Sequence, residues 1–229
     1  MSDKSIAIIK KFITKLYQQV QLEVQNSWRD LTLLNIVNLS HNLAQINLDQ
    51  CPLAEINNKG YLVFPKGKQV KWLGQKIAIP TALQDYPISN LTLRLVLTWW
   101  AQEAKIFING ELVQEGDLFD SSARVAITSK AQPGEEYIVA IRLTSPNHDI
   151  GALMRSHLLY EQSYLPEHID PGLVADELTV LSKYLSEFQP EYLEVLAGEL
   201  NKFDWHNIKD AGRFSHDLEE LRESLLPLG

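Results

Sequence analysis

Cysteine is almost absent from this sequence. The 229 residues contain a single cysteine, Cys51, so the chain forms neither an intrachain disulfide nor a site of several zinc-bound thiolates. One free thiol suits a reducing compartment, and a cytoplasmic location is the expectation. Cys51 precedes Pro52 without any surrounding motif. We therefore expect it to be a small buried apolar side chain rather than a nucleophile, since free cysteine is commonly buried.

Basic charge and long apolar runs are scarce too. Lys and Arg number 21 against 29 Asp and Glu, which gives a formal net charge of -8 at pH 7. An acidic surface repels nucleic-acid phosphates and anionic lipids, so neither nucleic acid nor a membrane is an expected partner. Lys10, Lys11 and Lys15 interrupt the apolar N-terminal stretch, which excludes a signal-peptide core and a membrane span there.

The motifs of several enzyme classes are missing as well. The sequence has no GxSxG, no GxxxxGK[ST] and no GxGxxG, so a nucleophile elbow, a phosphate loop and a dinucleotide fingerprint are not expected. Its six histidines show no His-x-His or His-x-x-x-His spacing, and no metal cofactor is expected in this chain. The composition, 45% hydrophobic and 22% charged, is that of a globular chain able to bury a core.

The first 27 residues predict one amphipathic helix, from about Ser5 to Asn26. Its apolar residues recur at steps of three and four, with lysines and glutamines on the other face: Ile6, Ile9, Ile13, Leu16 and Val20. Such a helix packs on its own domain or binds a partner or a membrane surface. We favour packing on its own domain, because little basic charge faces outward.

The sequence pattern of residues 28–164 predicts an antiparallel β-sandwich. Short runs rich in Val, Ile, Leu, Thr and aromatics are divided by Pro, Gly, Asn and Asp, and seven of them read as strands: "YLVFP", "KIAIP", "LTLRLVLTWW", "AKIFI", "ELVQEG", "RVAIT" and "EYIVAIRLTS". In "LTLRLVLTWW" every second residue from Leu91 to Leu97 is leucine, which predicts one buried face. Closely spaced strands without intervening helices favour stacked antiparallel sheets.

The stretch "WWAQEAKIFINGELVQEGDLFD", residues 99–120, holds most of the candidate site residues. Asn109-Gly110 predicts a tight type I′ hairpin, and Pro133-Gly134 predicts a second turn further on. Trp99 and Trp100 are adjacent on a strand and point to opposite sides, so at most one is in the core. The other is a candidate platform for a sugar ring or for a neighbouring domain.

Two groups of acids and one histidine complete the candidates. Asp117 and Asp120, with Glu115, could form the carboxylate pair of a glycosidase, but acids that cap a turn are the favoured interpretation. His148 and Asp149 resemble half of a metal site whose other ligands are missing.

Residues 165–229 predict a helical region. The first helix carries Val174, Leu178, Leu181, Leu185 and Phe188 at helical spacing. Pro190 is placed in the first turn of a second helix, and Ser215 is a candidate N-cap of a third. The region is either a satellite of the sandwich or a connector to a further domain.

Several of these runs carry a resemblance to a known family. The runs "AKIFINGELVQEGDLFD", "RVAIT", "PGEEYIVAIRLTSPNHDIGAL" and "LLYE", in this order, resemble the N-terminal β-sandwich of the cytosolic-type and bacterial α-mannosidases of glycoside hydrolase family 38. The resemblance covers about residues 60 to 160, and the sandwiches that open other large glycosidases are more loosely similar. It implies a jelly-roll-like (galactose-binding-like) sandwich, a helical connector, and a zinc-dependent catalytic domain as partner in cis. The His-x-His/Asp-rich signature of that catalytic domain has no match in this chain.

The resemblance implies a non-catalytic accessory domain of an α-mannosidase, without turnover of its own. Possible contacts with a sugar or with the catalytic domain are Trp99, Trp100, Asp117, Asp120, His148 and Asp149. One alternative is a free-standing carbohydrate-binding module for a mannose-containing glycan. Another is an interaction module whose helical segments form a homo-oligomer.

Overall fold

The computed structural model describes residues 2–34, 46–162 and 169–228, which contain four α-helices and twelve strands besides short 3-10 turns. The helices are α1 (Ser2–Val20), α2 (Pro171–Phe188), α3 (Tyr192–Lys202) and α4 (Ala211–Leu225). The strands are β1 (Gln21–Glu23), β2 (Arg29–Asp30), β3 (Leu62–Phe64), β4 (Val70–Ala78), β5 (Ala82–Leu83), β6 (Tyr86–Pro87), β7 (Thr92–Trp100), β8 (Glu103–Ile108), β9 (Glu111–Asp117), β10 (Ser122–Thr128), β11 (Glu136–Thr144) and β12 (Gly151–Glu161). None of these helices is long and apolar enough to span a bilayer.

The chain divides into two compact units. Residues 22–80 and 92–159 form a sandwich unit, and residues 1–21, 81–91 and 160–229 form a helical unit. The domain boundary predicted between residues 164 and 165 falls in a segment, 163–168, that lies outside the described residues.

The sandwich unit contains two sheets. The first has the order β1-β12-β7-β10, with β3 paired to the start of β12, and the second has the order β2-β4-β11-β8-β9. Partners such as β10 and β7, or β11 and β4, run antiparallel. This confirms the prediction of a mainly β, antiparallel sandwich with helices at both ends of the chain. Strand β12 was not among the seven predicted strands, because Ser156, His157 and Leu158 are all buried and hide the alternating pattern.

The core follows the period of two. Leu93, Leu95 and Leu97 of β7 are fully buried, as the leucine alternation predicts. On the second sheet, Phe107 and Ala140 form a smaller buried cluster, against which Trp72 packs. A neighbouring cluster contains Leu31, Leu48 and Cys51, so the single cysteine is buried as predicted.

Two turns adopt the conformations that their residues favour. Asn109 and Gly110 have φ angles of 50° and 90°, which places the predicted hairpin between β8 and β9. Gly134 has a φ of 90°, and the chain turns there before β11. Both turns thus confirm the sequence prediction.

In the helical unit, the end of one helix and the start of another differ from the prediction. Helix α1 is amphipathic as predicted, but it ends at Val20 rather than near Asn26, because the chain continues directly into strand β1. Ser215 is not the N-cap of α4. That role belongs to Asp210, whose carboxylate accepts hydrogen bonds from the backbone N–H groups of Gly212 and Arg213. Ser215 lies inside the helix and is buried.

Pro190 also lies outside its predicted helix. Helix α3 starts at Tyr192, and Pro190 belongs to the turn that precedes it, where its carbonyl accepts a hydrogen bond from the backbone N–H of Leu193. Of the predicted apolar face of α2, Val174, Leu178 and Leu185 are buried, whereas Phe188 is exposed.

Candidate functional site

The predicted site residues lie at one end of the sandwich, which we call the loop end. Glu103 at the start of β8 is in register with Asp117 at the end of β9 and with Thr144 at the end of β11. The turns that follow β7, β9 and β11 therefore meet at this end. They carry all six candidate residues, either within the turn or at the adjoining strand terminus.

Trp99 has a structural role at the loop end. Its side chain is 1% exposed, and its indole Nε1 donates a hydrogen bond of 3.2 Å to the backbone oxygen of Asp117. Its backbone N–H donates to the carbonyl of Ser121. The ring also packs so closely over Gly116 that a Cβ atom there would lie 2.4 Å from the ring. Trp99 therefore fixes the turn between β9 and β10 from below.

Trp100 points the other way, which confirms that only one of the two tryptophans is in the core. Its side chain is 38% exposed. The indole Nε1 donates a hydrogen bond of 3.1 Å to Oδ2 of Asp149, and Oδ1 of the same carboxylate accepts from the backbone N–H of Ile150 at 2.8 Å. The structure thus joins two predicted residues that are 49 positions apart. His148 is exposed in the same turn.

Asp117 caps the turn that follows β9. Its Oδ1 accepts hydrogen bonds from the backbone N–H groups of Phe119 (2.7 Å) and Asp120 (2.9 Å). These bonds hold the pKa of the Asp117 carboxyl below its usual range, because they stabilise the charged form. A general acid needs a raised pKa, so this geometry fits a turn cap and not the acid of a glycosidase pair.

Phe119 is the residue that the sequence analysis missed. Its side chain is 99% exposed, at the tip of the turn that Asp117 caps and Trp99 supports. Ile150, in the turn after β11, is 50% exposed. The signal in the sequence is an aromatic residue set between two acids in a turn, in "DLFD".

Metal ligands are not gathered at this end. Across residues 2–34, 46–162 and 169–228, no three His, Cys, Asp or Glu side chains come together as a possible metal site.

Comparisons with known proteins give only remote likenesses. No protein-family model matches the chain, and no curated protein matches it. Among solved structures, β-glucuronidase from Ruminococcus gnavus in complex with D-glucaro-d-lactam is similar with a TM-score of 0.44 and 10% identity, over 63% of this chain and 30% of that one. β-Glucuronidase from Bacteroides uniformis is similar with a TM-score of 0.44 and 16% identity, over 62% of this chain and 18% of that one. The chain spans less than a third of either enzyme, and likenesses this remote assign it no activity.

Proposed function

We propose that this chain is the non-catalytic N-terminal accessory domain of a family 38 α-mannosidase, and that its loop end packs against the mannose-hydrolysing domain. The observation that carries the docking part is Phe119, an almost fully exposed aromatic side chain. Large aromatic side chains of this kind are typical anchors of interfaces, since their burial supplies much of the binding energy. The choice of family is supported by the sequence runs that resemble the α-mannosidase sandwich and follow one another in the same order.

The turn that presents Phe119 is already ordered. Asp117 accepts two backbone N–H groups within it, and Trp99 packs beneath it. An anchor on a fixed turn loses little conformational entropy when it is buried by a partner, so more of its burial energy remains for binding. Trp100 and Ile150, both partly exposed at the same end, would extend the contact.

The test compares the full product of the gene that encodes this chain with the 229-residue chain alone. We expect the full product to hydrolyse an aryl α-mannoside with zinc present, and the chain alone to give no turnover. Phe119→Ser in the full product should lower the temperature at which half of the activity is lost by several degrees, because truncating an interface anchor costs about 2 kcal/mol or more.

Leu53→Ser is the matched control, since Leu53 is a 55% exposed apolar residue of the same unit. Its bridge partner Arg29 pairs with Gly74 in the middle of β4, whereas the loop end is level with Val70 at the start of that strand. We expect it to leave the temperature of half-inactivation unchanged. A gene product without mannosidase activity overturns the family assignment. Equal effects of Phe119→Ser and Leu53→Ser overturn the docking role.

A second candidate, a carbohydrate-binding module, is favoured by the pair of Trp100 and Asp149. The apolar face of an exposed indole stacks on the C–H groups of a sugar ring, and a neighbouring carboxylate accepts sugar hydroxyls. The hydrogen bond between them holds both groups in a fixed relative position.

Calorimetric titration of the 229-residue chain with mannose and short mannosides separates the two candidates. The accessory-domain proposal expects no saturable heat. Saturable binding that Trp100→Ala weakens by about tenfold or more, the equivalent of about 1.4 kcal/mol, would favour the binding module instead. Glu111→Gln serves as the control, because Glu111 is an exposed acid at the start of β9, the end of that strand opposite to the loop end.

A further inference from the structure

The helical unit contains a cleft of about 600 Å³. Its lining residues do not include any of the predicted site residues. One wall is helix α1, and the other is the hairpin between β5 and β6. Its principal lining residues are Lys11, Lys15, Gln19, Gln84, Asp85 and Trp205. No prediction from the sequence used any of them as a site.

Two ammonium groups face this cleft from one side. Lys11 and Lys15 are one helical turn apart, so they lie on the same face of α1, where like charges repel. The Nζ atom of Lys15 lies 3.6 Å from the centroid of the Trp205 ring, a cation–π contact that holds the charge in place. Within the described parts of the chain, neither lysine forms an ion pair with a carboxylate. The repulsion between them is therefore not relieved by an acid.

The electrostatics of Lys15 agree with this geometry. Burial, followed by the charge of Lys11, lowers the pKa of the Lys15 ammonium below its usual value. An anion bound between the two lysines would reverse the second of these effects.

The opposite wall is a strained turn. Gln84 and Asp85 are the two central residues of the β5–β6 hairpin, with φ angles of 46° and 71°. This left-handed region favours Gly, Asn and Asp, so Asp85 is tolerated there, whereas the backbone of Gln84 is strained. Strain of this kind is concentrated at ligand sites. Asp85 is exposed, and its carboxylate lies 3.7 Å from the ammonium of Lys209.

Gln19 adds an acceptor that lacks a donor. Its side chain is 1% exposed and lines the cleft, and its Nε2 donates to the backbone oxygen of Lys15. Its Oε1 has no hydrogen-bond partner among the described residues. A buried acceptor without a donor is costly, so a hydroxyl group or a water at this position would stabilise the site.

We propose that this cleft binds a small phosphate monoester that also carries hydroxyl groups. Lys11 and Lys15 hold the phosphate, and Asp85 and Gln19 accept hydrogen bonds from the hydroxyls. A phosphate monoester carries a charge of about -1.5 to -2 at neutral pH, which matches two ammonium groups better than the single charge of a carboxylate. Lysine is also a common phosphate ligand in proteins. This site does not depend on the docking of an α-mannosidase domain.

The experiment is a titration of the ¹⁵N-labelled 229-residue chain, followed by NMR at constant ionic strength near neutral pH. The indole N–H signal of Trp205, assigned with Trp205→Phe, reports on the cleft. We expect saturable shifts with inorganic phosphate and with glycerol 3-phosphate, tighter binding of glycerol 3-phosphate, and no saturable shift with acetate. Lys11→Ala should raise the dissociation constant by about tenfold or more, since a hydrogen bond to a charged group contributes about 1.5–3 kcal/mol.

Lys10→Ala is the matched control, because Lys10 is on the same helix but lines a different groove. It removes the same charge and should change the dissociation constant less than about twofold, the range of a long-range surface charge effect. Shifts that never saturate, or equal losses in Lys10→Ala and Lys11→Ala, overturn the site. Acetate binding as tight as phosphate overturns the preference for a dianion. Equal affinities for the two phosphates overturn the assignment of hydroxyl acceptors. An unchanged amide spectrum of Lys11→Ala shows that its loss is not a loss of fold.

Discussion

Trp99→Ala is expected to lower the free energy of unfolding by about 3–5 kcal/mol, the usual cost of truncating a buried tryptophan. Trp99 is 1% exposed, and the substitution removes the contact of its ring with Gly116 together with the hydrogen bond to the carbonyl of Asp117. The lost ring leaves a cavity at the base of the turn that presents Phe119. Urea denaturation followed by circular dichroism measures the change, as a lower midpoint with an unchanged slope.

The adjacent residue supplies the control for this prediction. Trp100 is 38% exposed, and its indole bonds to an exposed carboxylate, so Trp100→Ala should cost no more than about 1 kcal/mol. Similar losses in the two variants would contradict the division of the pair into a core residue and a surface residue.

Gly116→Ala is expected to destabilise the chain by about 1–3 kcal/mol, the range for overpacking a close contact. A Cβ atom at Gly116 would lie 2.4 Å from Cζ2 of Trp99 and 2.7 Å from the backbone oxygen of Asp120. Both distances are shorter than any unstrained contact, and the second obstacle is backbone. Denaturation in urea measures the loss.

Gly198 is a fitting control, because it lies within helix α3 and a Cβ atom there would meet no atom within 4 Å. Gly198→Ala should therefore stabilise the chain by up to about 1 kcal/mol, through the higher helix propensity of alanine. In a Trp99→Ala background the cost of Gly116→Ala should shrink, since one of the two obstructing groups has gone. A neutral Gly116→Ala variant would contradict the packing described for this turn.

The parts of the fold that sequence reasoning recovers are those with a local cause. The leucine alternation of β7, the Asn109-Gly110 hairpin and the opposed directions of Trp99 and Trp100 all depend on neighbours within a few residues. Strand β12 is not predicted from the sequence, because its buried residues lie on both faces and give no alternating pattern. Ser215 and Asp210 both belong to residue types that cap helices, and the sequence alone does not fix where α4 begins.

The candidate sites depend on contacts between distant parts of the chain. Asp149 meets Trp100 across 49 residues, and Lys15 meets the ring of Trp205 across a much longer stretch. Neither contact leaves a pattern in a single sequence. The exposure of Phe119 is likewise set by the turn geometry and by what lies around it, whereas residue type alone would predict burial for a phenylalanine.

Strand β9 is the last strand of its sheet in the part of the chain that the structure describes. It exposes Leu112 and Val113, and its register with β8 shifts between Ile106 and Phe107, so that the strand is bulged. An open edge of this kind is a template on which a strand from another molecule can add, but a bulge and charged residues oppose such pairing. Glu111 and Asp117 stand at the two termini of β9, and a second copy lying antiparallel along the edge would set these acids against its own. Glu111 and Asp117 therefore oppose edge-to-edge pairing of two sandwiches through like-charge repulsion.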